Sequence, residues 1–284
     1  MGAVELIKEA AAAWADGQLG GELLRRIRSL STRQNEYGYD PFGFNREDAR
    51  VAVAVAQLIH RKYFRTESFG IANVPEGPCL LVANHSGQLP WDGFSVASTL
   101  IFDREPPRLV RAMVERYAQT LPFVSYFFAR CGQILGTPEN CRRLLEAGEA
   151  ILVFPEGVRG ISKPITKRYQ LQAFGHGFMR LALEARVPIV PVAIIGAEEH
   201  LPAFNVTPLA RLLGVPSFPI MPTPPFVPLL PYPAKHRIYF GEAVNFVGDP
   251  DDDEDDIAPL VKQVRATVQS MVQVGLKERR HIFW

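Results

Sequence analysis

The order of predicted helices and strands in this chain indicates an α/β protein. Helical and strand-like patterns alternate along most of the sequence, which favours a mixed, mostly parallel sheet flanked by helices. Three short segments, 79–83, 151–154 and 188–195, are apolar on both strand faces, as expected where helices cover a sheet. No linker divides the 284 residues into separate units. We therefore predict a single domain with N-terminal helices and a C-terminal helix.

The first 63 residues are predicted to form an N-terminal helical region. A first helix over residues 4–30 is interrupted by glycines near Gly20, because glycine is a poor helix former. The arginines of this helix are interpreted as a solvated face, with contact to anionic lipid as the alternative. Asn45 can cap a second helix that runs to about Tyr63, since acidic residues fill the first turn after it.

Residues 64–248 are predicted to form the α/β core. Its strands are expected at residues 64–71, 79–83, 108–114, 132–136, 151–154, 188–195 and 237–240. Its helices are expected at residues 91–102, 117–128, 139–147 and 171–185, with a polar loop over residues 157–170. The remaining residues, 249–284, are predicted to be an acidic linker followed by a helix over residues 257–276.

One part of the core, residues 201–233, is both apolar and rich in proline. Proline removes backbone donors, so this stretch cannot be a regular helix or a central strand. Two interpretations remain open at this point. The stretch packs over the core as a cover, or part of it contacts lipid or an acyl chain.

The composition excludes several classes of partner and site. With 31 basic and 30 acidic residues the net charge is +1, which argues against nucleic acid as the main partner. The cysteines, Cys79, Cys131 and Cys141, lack metal-ligand spacing and fit ordinary thiols in a reducing compartment. There is no signal-peptide pattern and no run of ~18 apolar residues that could span a membrane. We therefore predict a cytoplasmic protein that is peripheral to a membrane.

The first candidate site follows the strand at 79–83. Asn84 and His85 end this strand, and Asp92 follows after six intervening residues. An imidazole can take a proton from a hydroxyl at neutral pH, and it does so best when a carboxylate holds its other nitrogen. The chain has no serine in a G-x-S-x-G turn, so the hydroxyl of a substrate is the natural nucleophile. The pattern therefore favours group-transfer chemistry.

A second candidate stretch follows the strand at 151–154. Glu156 and Arg159 lie on one turn after it, and a guanidinium suits an anionic or polar head group. A surface salt bridge is the alternative for this stretch alone. Because open α/β sheets bind their ligands at the carboxyl ends of strands, both stretches are expected to form one site at one sheet edge.

Together the two stretches resemble the phospholipid/glycerol acyltransferase family, which includes the 1-acyl-glycerol-3-phosphate acyltransferases. Asn84-His85 with Asp92 resembles the family's histidine–aspartate motif. The segment 154–159 (FPEGVR) resembles its FPEG-type motif, and 187–192 resembles its later apolar proline motif. The resemblance covers about residues 69–196.

The resemblance implies an O-acyltransferase in which His85 deprotonates an acceptor hydroxyl and Asp92 orients and stabilises the imidazolium. The hydroxyl would attack the carbonyl of an acyl thioester, either acyl-CoA or acyl-carrier protein, and no metal or other cofactor is implied. The implied substrate-binding residues are Asn84, Phe154, Pro155, Glu156, Gly157 and Arg159. Three later cations could contact phosphates of the donor or of a lipid head group, or form a solvated loop: Lys163, Lys167 and Arg168.

The sequence departs from the family pattern at two points. Six residues separate His85 from Asp92 where the family has four, and Pro138 stands where the family has an arginine that grips glycerol phosphate. The acceptor is therefore open between a neutral glyceride, a lysophospholipid and an unrelated alcohol. Two other functions are alternatives: a non-catalytic lipid-binding protein of the same fold, and a thioester hydrolase in which His85 activates water. The substrate class and the stretch at 201–233 predict contact with a membrane surface, and the oligomeric state stays open.

Overall fold

The computed structural model describes residues 3–85, 90–114, 128–161, 163, 165–200, 204–205, 219–220 and 231–284. Seven strands form one sheet: β1 (Glu67–Phe69), β2 (Cys79–Ala83), β3 (Val110–Val114), β4 (Ile134–Leu135), β5 (Ala150–Val153), β6 (Ile189–Ile195) and β9 (Arg237–Phe240). Their order is β1-β9-β6-β2-β5-β3-β4. The pairs within this sheet are parallel except β6 with β9, which is antiparallel. The predicted fold class is thus confirmed. A separate antiparallel pair is formed by β7 (Phe204–Asn205) and β8 (Pro219–Ile220).

The strands that are apolar on both faces lie at the centre of the sheet. Every residue of β2 and β6 is buried, and β2 pairs in parallel with β5 on one side and β6 on the other. Leu81 stands opposite Leu152 and Val190. The carboxyl ends of these three strands therefore meet at one edge of the sheet, which is where the motif residues follow.

Helices cover both faces of the sheet, as the alternation along β2 requires. Leu80 and Val82 pack into a core with the helices α4 (Pro138–Glu146), α6 (Gly177–Ala185) and α8 (Glu254–Glu278). Leu81 and its neighbours on the opposite face pack against α3 (Trp91–Phe102). Two short helices, α5 (Val158–Ile161) and α7 (Ala197–His200), follow β5 and β6. No described helix combines the length and the apolarity needed to cross a membrane.

The N-terminal region is helical, as predicted. Helix α1 (Ala3–Ser29) leaves helical geometry at Gly20, where φ is +60°. Asn45 caps α2 (Arg46–Leu58) by accepting hydrogen bonds from the next backbone N–H groups, and a π-helical turn at Ile59–Tyr63 extends it. The interpretation of a solvated basic face on α1 is wrong for Arg26. Its guanidinium donates to backbone oxygens at the end of α3 and just beyond it.

The largest local difference from the predicted elements follows β5. The expected polar loop at 157–170 contains α5 and a 3₁₀ turn at Ile165–Lys167, and the helix expected from 171 begins only at Gly177. The backbone N–H groups of Gln172 and Gly175 bond to the turn after β5, so this segment cannot be helical. The first strand is shorter than expected. Residues 117–127 of the helix predicted at 117–128, and most of the stretch at 201–233, lie outside the described residues.

Candidate active site

The two sequence motifs meet at the carboxyl edge of the central strands. His85 follows β2 and Glu156 follows β5, and these strands are parallel neighbours. Helix α3 begins at Trp91 and carries Asp92 in its first turn. The position of this acid suits it chemically, because the N-terminus of a helix favours a negative charge.

His85 and Asp92 form a hydrogen-bonded pair despite the longer spacing. The distance from His85 Nδ1 to Asp92 Oδ2 is 2.6 Å. The Asp92 side chain is fully buried, and its Oδ1 accepts a hydrogen bond from the Gly93 N–H at 2.7 Å. Of the six residues between His85 and Asp92, 86–89 lie outside the described part of the chain. Because α3 carries the acid to the histidine, the spacing in sequence does not decide whether the pair forms.

The imidazole of His85 is held on two sides and open on a third. Its ring stacks on Phe154 with centroids 4.3 Å apart and 22° between the planes. The side chain keeps 17% of its surface exposed. Nδ1 is paired with Asp92, and no described residue hydrogen-bonds the other ring nitrogen, Nε2. Phe154 thus fixes the plane of the His85 ring and also packs against the hydrophobic core.

Glu156 is buried and positions the loop that carries His85. Its Oε1 accepts from the backbone N–H of His85 at 2.9 Å, and its Oε2 from the backbone N–H of Gln172 at 2.6 Å. Only 1% of the residue is exposed. Both oxygens thus accept hydrogen bonds from the protein's own backbone, and substrate binding by Glu156 stays a prediction.

Asn84 is a second residue whose predicted role differs from its contacts. Its amide is fully buried, donates to the Ile194 carbonyl at 3.0 Å and accepts from the Ile194 N–H at 2.7 Å. These two bonds join the end of β2 to β6. The side chain thus has a structural role at the end of β2, and its contact with a substrate stays a prediction.

The turn after β5 approaches His85 closely because it is rich in glycine. Gly157 adopts a positive φ of +55°. A Cβ on Gly160 would lie 2.8 Å from the Cβ of His85, so only glycine fits there without a shift. Sequence analysis missed Gly160. Its signal was the second glycine of FPEGVRG. The carbonyl of Pro155, which belongs to this turn, accepts a hydrogen bond from the backbone N–H of Gly175.

The predicted cations fall into two groups. Arg159, Lys167 and Arg168 are exposed, as a contact with phosphate or a head group requires. Lys163, in contrast, is buried with its Nζ 3.1 Å from Glu198 Oε1 and 3.5 Å from Glu156 Oε2. Its ammonium is paired with carboxylates inside the protein, and the predicted contact with phosphates stays a prediction.

Sequence analysis also missed two buried histidines that pack behind α3. His236 Nδ1 lies 2.7 Å from Ser95 Oγ, and His236 Nε2 lies 3.4 Å from His200 Nδ1. Phe64 stacks on the His236 ring at 4.0 Å. Burial lowers the pKa of His200 to about 4, and the nearby Asp92 opposes this shift in part. Both rings are therefore neutral at pH 7, because burial also places the pKa of His236 well below its usual value.

Two observations in the described part of the chain concern metal and ligand binding. No cluster of three or more His, Cys, Asp or Glu side chains there is arranged to hold a metal ion. An apolar groove of about 340 Å³ lies beside α3, lined by Leu58, Ile59, Lys62, Tyr63 and Trp91. Its lining residue Trp91 directly precedes Asp92 in α3, and its other lining residues belong to α2 and the turn after it.

Sequence comparison with known proteins places both motifs in one family. A profile of a family described as Acyltransferase matches residues 65–195. An uncharacterized protein of Mycobacterium tuberculosis is 38% identical over 260 residues, which cover 88% of this chain and 72% of the relative. A human protein named DGAT1/2-independent enzyme synthesizing storage lipids is 26% identical over 210 residues, which cover 72% of this chain and 60% of the relative.

A solved structure shares the fold of the whole chain. It is the crystal structure of the 1-acyl-sn-glycerophosphate (LPA) acyltransferase from Thermotoga maritima. The superposition has a TM-score of 0.52 and covers 97% of each chain, with 18% sequence identity. At this identity the likeness concerns the fold.

Proposed function

This chain belongs to the acyltransferase family, and from that premise we propose that it moves a fatty acyl group from an acyl thioester to a hydroxyl of a glycerolipid. The observation that carries the proposal is the pair of His85 and Asp92, 2.6 Å apart, at the carboxyl edge of the central strands. The open Nε2 of His85 is the group that meets the acceptor hydroxyl. The donor is acyl-CoA or an acyl-carrier protein, as a co-substrate.

The geometry supports a direct transfer in which His85 is general base and then general acid. The acceptor hydroxyl gives its proton to Nε2 while its oxygen attacks the thioester carbonyl. The carbon–sulfur bond then breaks, and the leaving thiolate takes the proton back from the imidazolium. Asp92 stabilises the charged ring through Nδ1. General base catalysis of this kind contributes about 10²–10⁴-fold to the rate.

Exposed cations near this site are proposed to receive the donor's phosphate groups. Arg159, Lys167 and Arg168 follow β5, whose carboxyl end forms part of the site. Among described residues, Arg159 bonds only weakly, to the Ala173 carbonyl at 3.3 Å. CoA and the prosthetic arm of a carrier protein both carry phosphate, so the same cations suit either donor. Parallel assays with acyl-CoA and acyl-carrier protein separate the two.

For the acceptor, we propose a neutral glyceride. Pro138 is the first residue of α4, and Thr137 caps this helix by accepting from the Asn140 N–H at 3.2 Å. The nearby arginines have other partners: Arg142 pairs with Glu139 and Glu184, and Arg143 lies over the Phe42 ring. A cation for a glycerol phosphate is thus lacking at this described position. The name of the human relative, which refers to storage lipids, supports the same choice.

We also propose that the protein works at a membrane surface. Val55 and Leu58 of α2 are exposed apolar residues, and Leu58 lines the groove beside α3. The exposed cation Lys62 lies in the turn that follows, next to Arg61, which pairs with Asp103 at 2.6 Å. An apolar surface with adjacent cations suits anionic lipid. Vesicle flotation tests this: protein that floats with neither anionic nor neutral vesicles would refute the proposal.

Acyl transfer by the purified protein tests the proposed reaction. Long-chain acyl-CoA is supplied with glycerol-3-phosphate, lysophosphatidic acid, other lysophospholipids, or mono- and diacylglycerol, and thioester hydrolysis is counted separately. We expect ester formation with a neutral glyceride and its loss in His85→Ala. Hydrolysis that no acceptor suppresses would instead favour a thioesterase. Failure with both acyl-CoA and acyl-carrier protein would favour a non-catalytic lipid-binding protein.

A further inference from the structure

Three charged side chains form a buried cluster next to the candidate active site. Glu156 follows β5, Lys163 lies just beyond α5, and Glu198 is in α7 after β6. They are 1%, 9% and 7% exposed. The ammonium of Lys163 lies between the two carboxylates, and its Nζ also approaches the Gln170 carbonyl at 3.5 Å. Lys163 and Glu198 belong to neither strand-end motif.

The two distances at Lys163 are unequal in a way that matters for His85. The distance to Glu198, 3.1 Å, is that of a hydrogen bond, whereas the distance to Glu156, 3.5 Å, is longer than an ordinary N–H···O bond. Lys163 therefore neutralises Glu156 without taking its lone pairs. The Glu156 oxygens thus remain acceptors for the backbone N–H groups of His85 and Gln172.

Both Lys163 and Glu198 must be charged for this arrangement. Without Lys163, two buried carboxylates would face one another uncompensated, and one would take up a proton. Without the charge of Glu198, Lys163 would move onto Glu156 and compete with the backbone donors for its oxygens. Either change would loosen the hydrogen bond that holds the backbone of His85.

We propose that Lys163 and Glu198 are positioning residues of the acyl-transfer site, which hold the Glu156 carboxylate on the backbone N–H of His85. The part that concerns catalysis rests on the proposed function. Through this chain of contacts, a helix that follows β6 sets the position of the general base that follows β2. Lys163 thereby acquires a role that differs from the predicted contact with phosphate.

The charge state of Glu198 supports a pH-dependent effect. Burial raises the pKa of this carboxyl to about 7, while Lys163 and a hydrogen bond from the Tyr169 backbone oppose the shift and Glu156 adds to it. Its neighbour Glu199 is paired separately with Arg279, at 2.8 Å, and with the Tyr169 hydroxyl. Glu198 thus changes charge near neutrality.

Amide hydrogen exchange on the full chain tests the positioning without using activity. We expect the His85 and Gln172 amides to exchange faster in Lys163→Met and in Glu198→Gln, and the Leu81 amide in β2 to keep its wild-type rate. The matched controls Lys262→Met and Glu242→Gln alter exposed residues of the same types and should leave all three rates unchanged. Wild-type exchange at His85 and Gln172 in Glu198→Gln, which keeps the side-chain shape, would overturn the proposal.

Kinetics then test the consequence for acyl transfer. We expect kcat to fall about 10²-fold in Lys163→Met with KM little changed, because small displacements of a reacting group cost this much. The wild-type rate–pH profile should contain an ionisation near pH 7 that Glu198→Gln removes. A fall in kcat that is equal at every pH would contradict the role of Glu198. If the wild type transfers no acyl group, the proposed function fails, and the exchange rates still decide the positioning.

Discussion

Replacing Asp92 with asparagine is expected to remove most acyl transfer while the fold and substrate binding persist. Asp92 Oδ1 accepts the Gly93 N–H, and Oδ2 faces His85 Nδ1. An asparagine must keep its carbonyl oxygen on the Gly93 donor, because an NH₂ group cannot accept that bond. The NH₂ then faces Nδ1 and moves the ring proton to Nε2. A ring protonated there cannot take the proton of the acceptor hydroxyl.

The size of this effect follows from the burial of the pair. Asp92 is fully buried, so water cannot restore the correct tautomer. A wrong tautomer in a comparable buried pair costs about 10⁴-fold in kcat. This corresponds to roughly 5 kcal/mol of activation free energy. We expect a loss of that order, with KM within a few-fold of the wild-type value.

Initial rates of ester formation from acyl-CoA measure the prediction. Asp251→Asn, a change of an exposed acid in the loop before α8, serves as the matched control. Because His85 and Asp92 act as a unit, Asp92→Asn should add no further loss to His85→Ala. A loss smaller than about tenfold in Asp92→Asn would refute the assignment of Asp92, as would additive losses in the double variant.

Three further changes test other contacts of the site. Gly160→Ala places a methyl group 2.8 Å from the Cβ of His85, and kcat should fall about tenfold in steady-state assays of a folded protein. Asn84→Ala leaves the buried N–H and C=O of Ile194 without partners, and urea unfolding should show a loss of about 2–4 kcal/mol with KM unchanged. Burial lowers the pKa of the His200 ring in the folded protein to about 4. Below pH 6.5 the unfolded chain therefore binds a proton at this ring more readily than the folded chain does. Stability should therefore fall by roughly 3 kcal/mol from pH 6.5 to 4, by an amount that His200→Gln removes in denaturation curves.

Each of these changes has an outcome that contradicts its reasoning. Wild-type kcat in Gly160→Ala would mean that the turn relaxes away from His85 without effect. A raised KM without loss of stability in Asn84→Ala would support its predicted role in substrate binding. Identical pH dependence of stability in His200→Gln and the wild type would place the His200 ring in water rather than in the core.

The overall fold was largely predictable because its signals are local. Apolar runs that ended at polar turns predicted β2 to the residue and β5 and β6 to within one residue. Alternating helices and strands then required a sheet with covered faces, and the ends of β2 and β5 had to meet. The pairing of His85 with Asp92 was a reasonable expectation for the same reason, since a helix starting at Trp91 was recognisable.

The roles of the polar residues depended on partners distant in sequence, and only the tertiary structure decided them. Asn84 bonds to a residue 110 positions away, and Glu156 bonds to the backbone of His85, 71 positions away. A carboxylate or amide has the same residue type whether it faces a substrate or a buried backbone donor. Sequence patterns therefore placed the candidate site at the sheet edge. The packing of β6 and of the segments after it determined which polar groups of this site are free. It also determined which of them, together with Lys163, hold His85 in place.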